Sequence, residues 1–366
     1  ELDDRAVAYA RALSADAVQK VGNGHPGTAM SLAPVAYSLF QRHLVHDPSD
    51  PQWLGRDRFI LSCGHSSLTL YVQLFLSGYG LEMKDLQSFR TWGSLTPGHP
   101  EYGHTAGVEM TTGPLGQGVA TAVGMAMAAR YERGLLDPTA PANTSLFDHS
   151  IWVICSDGDL QEGVSAEASS LAGTQELGNL NIIYDDNRIS IEGDTHNAFT
   201  EDVAARYRAY GWHVIEVAAL ATGNIDLVSL DAAMVAAKKE TSKPTLIRMH
   251  SVIAWPAPKA QGTAGSHGSA LGVDEIKATK IALGLNPDED FAMPADVLAH
   301  ARLVKDRGAA VRATWDTKFA TWKAANPDKA SLLERLRTKS LPAGWDADIP
   351  VFAPDKEVAT RAASGE

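Results

Sequence analysis

Residues Cys155 to Asn187, CSDGDLQEGVSAEASSLAGTQELGNLNIIYDDN, place an acidic-Gly turn near one end and a carboxamide at the other, each directly after an apolar run. The first run, Ser150 to Cys155, is short and β-branched, the pattern of a strand buried on both faces of a parallel sheet. Gly163 to Leu177 carries Ala, Glu and Leu at helical spacing, and Leu180 to Tyr184 is a second strand-like run that ends in Asp185, Asp186 and Asn187. Strand, helix and strand make a β-α-β unit whose polar residues gather at the C-terminal ends of the strands, where such sheets bind ligands.

Those residue types suit a magnesium ion on a diphosphate. Magnesium takes oxygen ligands in near-octahedral geometry, usually one or two from side chains and the rest from phosphate and water. Asp157 and Asn187 each offer an oxygen, the carbonyl of Ile189 in the turn beyond offers a third, and Gly158 lets backbone approach phosphate without a Cβ. An isolated Asp-Gly is more often just a turn; here it recurs with a distant Asn across a strand-helix-strand pattern. The segment resembles the thiamine diphosphate signature, GDG followed by a distant asparagine, with Ser156 where the first glycine belongs. A strained φ at that position would cost a serine more than a glycine. Asp185 and Asp186 are read as ordering the loop and its water, with a second metal site as the alternative.

The rest of the chain alternates in the same way. Helices are expected at Ala6–Lys20, Ala29–His43, Leu68–Leu76, Val119–Arg133 and Leu227–Glu240, and strands at Arg58–Ser62, His213–Val217 and Thr245–Met249. Ser66 and Ser67 are candidate caps for the helix at Leu68. The pattern predicts an α/β fold, a doubly wound, mostly parallel sheet flanked by helices. Residues 295 to 323 read as one charged helix and 326 to 337 as another, before a Pro-punctuated, irregular piece. The expected organisation is a diphosphate-binding domain over 1–322, a helical and irregular linker over 323–350, and the start of a further domain over 351–366.

Composition narrows the class. The chain has 366 residues, 45% of them hydrophobic, enough for a large core. No apolar stretch is long enough to span a membrane, and the first residues, ELDDR, do not read as a signal peptide, so the expected location is cytoplasmic. A formal charge of -12 argues against nucleic acid as a partner. With only Cys63 and Cys155, disulfide or zinc chemistry is not expected.

His25, His65, His99, His104 and His267 all stand beside glycine or proline in expected loops at the ends of strands or helices. Convergence would supply donors and proton carriers for sugar hydroxyls or a developing oxyanion. A zinc cluster is the rival reading, but the short ligand spacing it needs is missing.

The motifs NGHPGTAMSLAPVAY (Asn23–Tyr37), CGHSSLTLY (Cys63–Tyr71), TPGHPE (Thr96–Glu101), TTGPLGQG (Thr111–Gly118) and HGSALG (His267–Gly272), together with the diphosphate segment, resemble the transketolase family in order and over nearly the whole chain. The resemblance is to the family's N-terminal half. It implies thiamine diphosphate with Mg2+, or Ca2+ or Mn2+ in its place, held by Asp157, Asn187 and the Ile189 carbonyl. It implies cofactor contacts from His65, Gly113, Pro114, Leu115, Asp157, Gly158, Glu162, Asn187 and Ile191, with Glu162 linking two cofactor sites across a dimer. His25, His99 and His267 match the catalytic and substrate-channel histidines, and Arg361 matches the arginine for the sugar phosphate. The implied reaction is two-carbon ketol transfer between sugar phosphates. A homodimer or hetero-assembly with a C-terminal half is implied, because the glutamate that activates the cofactor's pyrimidine would lie beyond Glu366. A dihydroxyacetone synthase-like enzyme or a non-catalytic cofactor-binding subunit would share these motifs.

Overall fold

The computed structural model describes residues 1–141 and 144–366. They divide into two compact units, Glu1–Trp315 and Asp316–Glu366. In the first, strands β1 (Arg58–Leu61), β2 (Ile151–Ser156), β3 (Leu180–Asp186), β6 (His213–Val217) and β7 (Thr245–His250) form one sheet in the order β1-β2-β3-β7-β6. Every neighbouring pair in it is parallel. A two-residue hairpin, β4 (Ile189–Ser190) with β5 (Gly193–Asp194), stands apart.

Alternation along β2 explains why its sequence is apolar throughout. Trp152 and Ile154 point into the core shared with Phe59, Leu61, Ile183 and helices α1 (Leu2–Val21), α2 (Pro26–Ser38), α3 (Ser67–Ser77) and α9 (Leu227–Lys239). Ile151, Val153 and Cys155 point the other way, to Ile60, Ile182 and helices α5 (Gln117–Leu136), α7 (Gly163–Thr174) and α8 (Val203–Ala209). Helices cover both faces, as a parallel sheet requires, and each fully buried Ile or Leu contributes about 2 kcal/mol. Cys63 and Cys155 are free, buried and in different cores.

Several local readings change. α2 begins at Pro26 rather than Ala29, because proline's fixed φ suits a first helical position, and past Ser38 the chain widens into a π turn over Leu39–His43. The single helix expected over 295–323 is two, α11 (Ala295–Ala301) and α12 (Val304–Ala325), broken by a turn at Arg302–Leu303. The turn redirects the chain so that Gly308 meets the backbone of His46, where an added Cβ would lie 2.4 Å from the carbonyl oxygen. The short helices α4 (Met83–Gln87), α6 (Asp157–Gln161) and α10 (Val273–Ala282) complete the first unit. The second contains the end of α12, then α13 (Pro327–Thr338), which Pro327 opens, and α14 (Thr360–Ala363), the last two joined by exposed chain without regular structure.

The close packing of α7 against the end of α8 gives a sharp test. A Cβ on Gly173 would lie 1.8 Å from the carbonyl oxygen of Tyr210. Backbone cannot retreat as a side chain can, so Gly173→Ala is expected to cost about 3 kcal/mol of stability. Urea unfolding measures it; a change within experimental error would mean that this contact is soft.

Candidate active site

Parallel strands end along one edge, and register decides which residues meet there. Ser156 pairs with Asp185, so Asp157 leaves the sheet beside Asp186, which is itself paired with His250. Ser156 has φ −118° and ψ 178°, extended backbone open to any residue, so the penalty expected for a serine is absent. Its N–H and Oγ both donate to Asp159 Oδ2, at 2.9 and 3.2 Å.

Asp159, to which sequence reasoning assigned no role, is the hub of the edge. It is fully buried, and its Oδ1 accepts from Ser62 Oγ (2.7 Å) and from the Gly116 N–H (2.8 Å). Ser62 Oγ in turn accepts from the Val119 N–H at 3.1 Å. One carboxylate thus ties the end of β1, the end of β2 and the TTGPLGQG loop together, with each donor satisfied.

The turn after β3 brings the expected metal ligands to one place. Asp157 Oδ2 accepts from the Arg188 N–H at 3.2 Å and Asn187 Oδ1 from the Ile189 N–H at 2.9 Å, so both side chains bond the backbone of the same turn. Arg188 takes φ +60° to close it. Asp157 Oδ1 also accepts from Tyr184 Oη at 2.5 Å. Burial pushes the Asp157 carboxyl up to about 7 against that hydrogen bond, and the neighbouring Asp185 and Asp186 charges add to the rise. Asp185 is pushed up to about 6, also by burial.

Asp185 accepts from Ser251 Oγ (2.5 Å) and Asn187 Nδ2 (2.9 Å), while Asp186 pairs with Arg248 (2.8 Å) and His250 (3.1 Å). Asp185 thus bonds the turn itself at Asn187, as expected of a loop-ordering residue, whereas Asp186, expected to do the same, bonds side chains of β7 and has Arg188 of the turn 3.8 Å away. Among the described residues no three His, Cys, Asp or Glu side chains are arranged to hold a metal. The donor set that remains is a carboxylate, an amide oxygen and a backbone carbonyl. These are hard oxygens that suit Mg2+ or Ca2+ and leave positions for phosphate and water.

Four of the five singled-out histidines converge. The His25 ring centroid lies 5.1 Å from that of His65, 5.5 Å from His267 and 6.5 Å from His99, and His65 stacks on His267 at 5.0 Å. His25 precedes Pro26 at the start of α2; His65 sits in the 3-10 turn Gly64–Ser66 and His267 follows the 3-10 turn Ala264–Ser266. His99 is held by α3, through Ser67 Oγ to the Gly98 carbonyl and Tyr71 Oη to the Pro97 carbonyl, both 2.9 Å. The serines expected to cap α3 therefore do something else, because Ser66 bonds Thr69 at 2.6 Å and neither makes a side-chain cap. His104, which shares the glycine context, stays outside the cluster with Nε2 on the Ser94 carbonyl (2.7 Å).

Glycines permit the convergence. A Cβ on Gly64 would lie 2.6 Å from Thr112 Oγ1 and 2.8 Å from the Gly113 nitrogen, and one on Gly27 2.4 Å from the Ser266 carbonyl oxygen. Burial lowers all four histidines. His25 is pushed down to about 4 by burial and then by His267, Arg90 and His99, and His65 lies well below the usual range. At neutral pH the cluster is therefore uncharged, each ring offering one donor and one acceptor.

His25 Nδ1, His65 Nε2, His267 Nδ1 and Thr112 Oγ1 are buried without a hydrogen-bond partner. An unsatisfied buried polar group costs about 1–3 kcal/mol. Four at one sheet edge fit a polar ligand that offers both donors and acceptors. Thr112 was missed in the sequence, where it is only one letter of the TTGPLGQG motif.

The other expected contacts lie as follows. Leu115 is half-buried and touches Gly158, where an added Cβ would meet its Cδ1 at 2.8 Å; Gly113 is half-buried beside His99 and Pro114 is exposed. Glu162 is exposed at the junction of α6 and α7, and Ile191 is 70% exposed at the tip of the β4–β5 hairpin. Arg361 is exposed on α14 of the second unit.

The profile of the transketolase thiamine diphosphate-binding domain matches residues 2–342. Transketolase of Mycobacterium leprae is 58% identical over 366 residues, covering 100% of this chain and 52% of that protein. Transketolase of Geobacillus stearothermophilus is 46% identical, again over 100% of this chain and 54% of that protein. A crystal structure of Pichia stipitis transketolase in complex with sedoheptulose 7-phosphate superposes with a TM-score of 0.91 at 44% identity, over 98% of this chain and 52% of that one. Transketolase from Leishmania mexicana gives 0.90 at 40% identity, over 96% and 51%. The chain spans about half the length of the curated relatives it matches. Fold, site edge and likeness agree, and the chain belongs to the transketolase family, in the half that contains its thiamine diphosphate-binding domain.

Proposed function

We propose that this chain is the diphosphate-binding half of a transketolase, which moves a two-carbon ketol unit reversibly from a ketose phosphate to an aldose phosphate. The observation that carries the reading is the neutral cluster of His25, His65, His99 and His267, with orphaned ring nitrogens, beside the oxygen-lined turn of Asp157 and Asn187. Bound thiamine diphosphate supplies the carbanion and the electron sink that break and remake the carbon-carbon bond.

The protein's part is to hold and polarise. Asp157, Asn187 and the Ile189 carbonyl take Mg2+; His65 and Gly158 contact the diphosphate; Gly113 to Leu115 and Ile191 line the cofactor's rings. His25 and His267 donate to the substrate carbonyl oxygen and accept a hydroxyl proton, which neutral imidazoles can do without a change of charge state beforehand. His99 lines the channel, and Arg361 receives the sugar phosphate. Residues 323–350 serve as the linker and 351–366 open the pyrimidine-binding domain, whose remainder, with the glutamate that activates the pyrimidine, completes the site.

Assembly has support in the surface. α5 and α7 leave Met127, Tyr131, Val164 and Leu171 exposed, a group of large apolar side chains of the kind that interfaces cover. A homodimer in which Glu162 links the two cofactor sites is the proposed state, and the cytoplasm the proposed location. Among the described residues no helix is long and apolar enough to cross a membrane.

The isolated 366-residue chain is expected to bind thiamine diphosphate only with magnesium in calorimetry, and to show no ketol transfer until a C-terminal half is added. Robust turnover by the chain alone, or binding indifferent to magnesium, would contradict the reading. Gly158→Ala separates cradle from fold. Leu115 Cδ1 is the free end of a side chain and can turn aside, so stability should hold within about 1 kcal/mol while cofactor affinity falls about tenfold, because backbone can no longer close on the diphosphate. Unchanged affinity would remove Gly158 from the cradle.

A further inference from the structure

Arg11 lies on α1 yet is 4% exposed, and among the described residues no carboxylate is paired with it. Burial alone pushes its guanidinium down to about 9. A buried cation without a counter-charge is costly, so its partners have to be worth that cost. Nε donates to the Met30 carbonyl at 3.1 Å, Nη2 to Asn224 Oδ1 at 2.8 Å, and the guanidinium lies 4.4 Å from the centre of the Trp255 ring.

The first of these partners explains the residue. α2 contains Pro34, which has no N–H to give the carbonyl four residues earlier, and that carbonyl belongs to Met30. Arg11 fills the gap that Pro34 opens in the hydrogen-bond ladder, from another helix. Of the remaining partners, Trp255 lies on the segment that leads to His267, and Asn224 lies on the loop that Trp255 bonds. Trp255 bonds Thr222 through Nε1 (2.8 Å), and the next turn leads to the Ala264–Ser266 turn before His267. Gly27 touches that turn at Ser266 and accepts from the Ala254 N–H at 3.0 Å. α2 starts directly after His25.

We infer that Arg11 is a positioning residue: by bridging the carbonyl that Pro34 leaves open in α2 to Trp255 and Asn224, it fixes the separation of His25 and His267. A planar guanidinium can bond two acceptors and stack on an aromatic ring at once, which neither lysine nor methionine can do. The inference rests on the proposed ketol transfer for its kinetic readout and is independent of it for its structural one.

The test uses the full-length protein and three variants, Arg11→Met, Pro34→Ala and the two combined. Methionine keeps the apolar stem and loses the donors; alanine at 34 returns an N–H to the Met30 carbonyl. Arg11→Met is expected to lower the melting temperature and to reduce kcat about 100-fold, with cofactor affinity held within about twofold. The combined variant should regain stability while kcat stays low, and its crystal structure should show the His25–His267 centroid distance, 5.5 Å here, widened by about 1 Å. Recovery of kcat together with stability, or an unchanged distance, would overturn the inference and leave Arg11 as a plug in a helix. If the parent protein neither binds thiamine diphosphate nor transfers ketol units, the proposed function fails, and the distance in the variants still decides the role of Arg11.

Discussion

Asp157→Asn is expected to abolish magnesium-dependent cofactor binding and, in the metal-free protein, to make the fold more stable at pH 8. The carboxyl is buried between two other carboxylates, and its folded pKa is raised from 3.8 to about 7. A raised acid binds its proton more tightly in the folded chain than in the unfolded one. Its favourable contribution is therefore complete below pH 3.8 and is lost as pH rises through about 7. At pH 8 the native state carries the whole burden of the buried charge, about 2–4 kcal/mol, and the substitution removes it. The new amide can accept from the Arg188 N–H and donate to Tyr184 Oη, as the protonated carboxyl does, so the lost acceptor for the tyrosine hydroxyl offsets only part of the gain. At pH 4 the same change should be close to neutral. Urea unfolding at the two pH values, with and without magnesium and thiamine diphosphate, measures it. A variant destabilised equally at both would show that Asp157 carries no buried charge, and undiminished magnesium-dependent binding would remove it from the metal site.

Lys280→Met should destabilise the chain by about 3–5 kcal/mol. Lys280 Nζ lies 2.8 Å from Asp16 Oδ1, and both side chains are 2% exposed. Asp16 Oδ2 also accepts from the Phe291 N–H at 2.9 Å, so the pair joins α1, α10 and the turn that follows. Removing the cation leaves a buried carboxylate whose only other bond among the described residues is to that N–H. Pairing the change with Asp16→Asn should restore most of the loss, because a neutral amide no longer needs the cation. Calorimetric or denaturant unfolding of the three variants tests this; additive losses in the double variant would mean that the two side chains do not act as a pair.

What could be read in advance follows the range over which each signal acts. The runs before Asp157 and Asp185 are strands because a strand buried on both faces must be apolar at every position, a property of a few adjacent residues. His25, His65, His99 and His267 stood out through glycine and proline beside them, again local. His104 has the same neighbours and a different fate, since the Ser94 carbonyl that takes its Nε2 is set by the path of the loop. Asp159 and Arg11 were illegible for the same reason. One looks like a solvated acid in a turn and the other like the polar face of an amphipathic helix. Their partners, Gly116 and Ser62 for the first and a proline-opened carbonyl for the second, come together only in three dimensions. The break at Arg302–Leu303 carries neither glycine nor proline, so periodicity alone reads through it.

The order of the strands also bears on how the chain reaches this state. Ile151 pairs with Leu180 across a single crossover, whereas Arg58 pairs with Ile151 only after α3, α4 and α5 have been passed. Closing the longer loop costs about 1 kcal/mol more in chain entropy, and contacts distant in sequence form late. The β2–β3 pair is thus expected to form before β1 joins it, so that the turn presenting Asp157 and Asn187 takes shape before the loop of His65 has a strand to stand on.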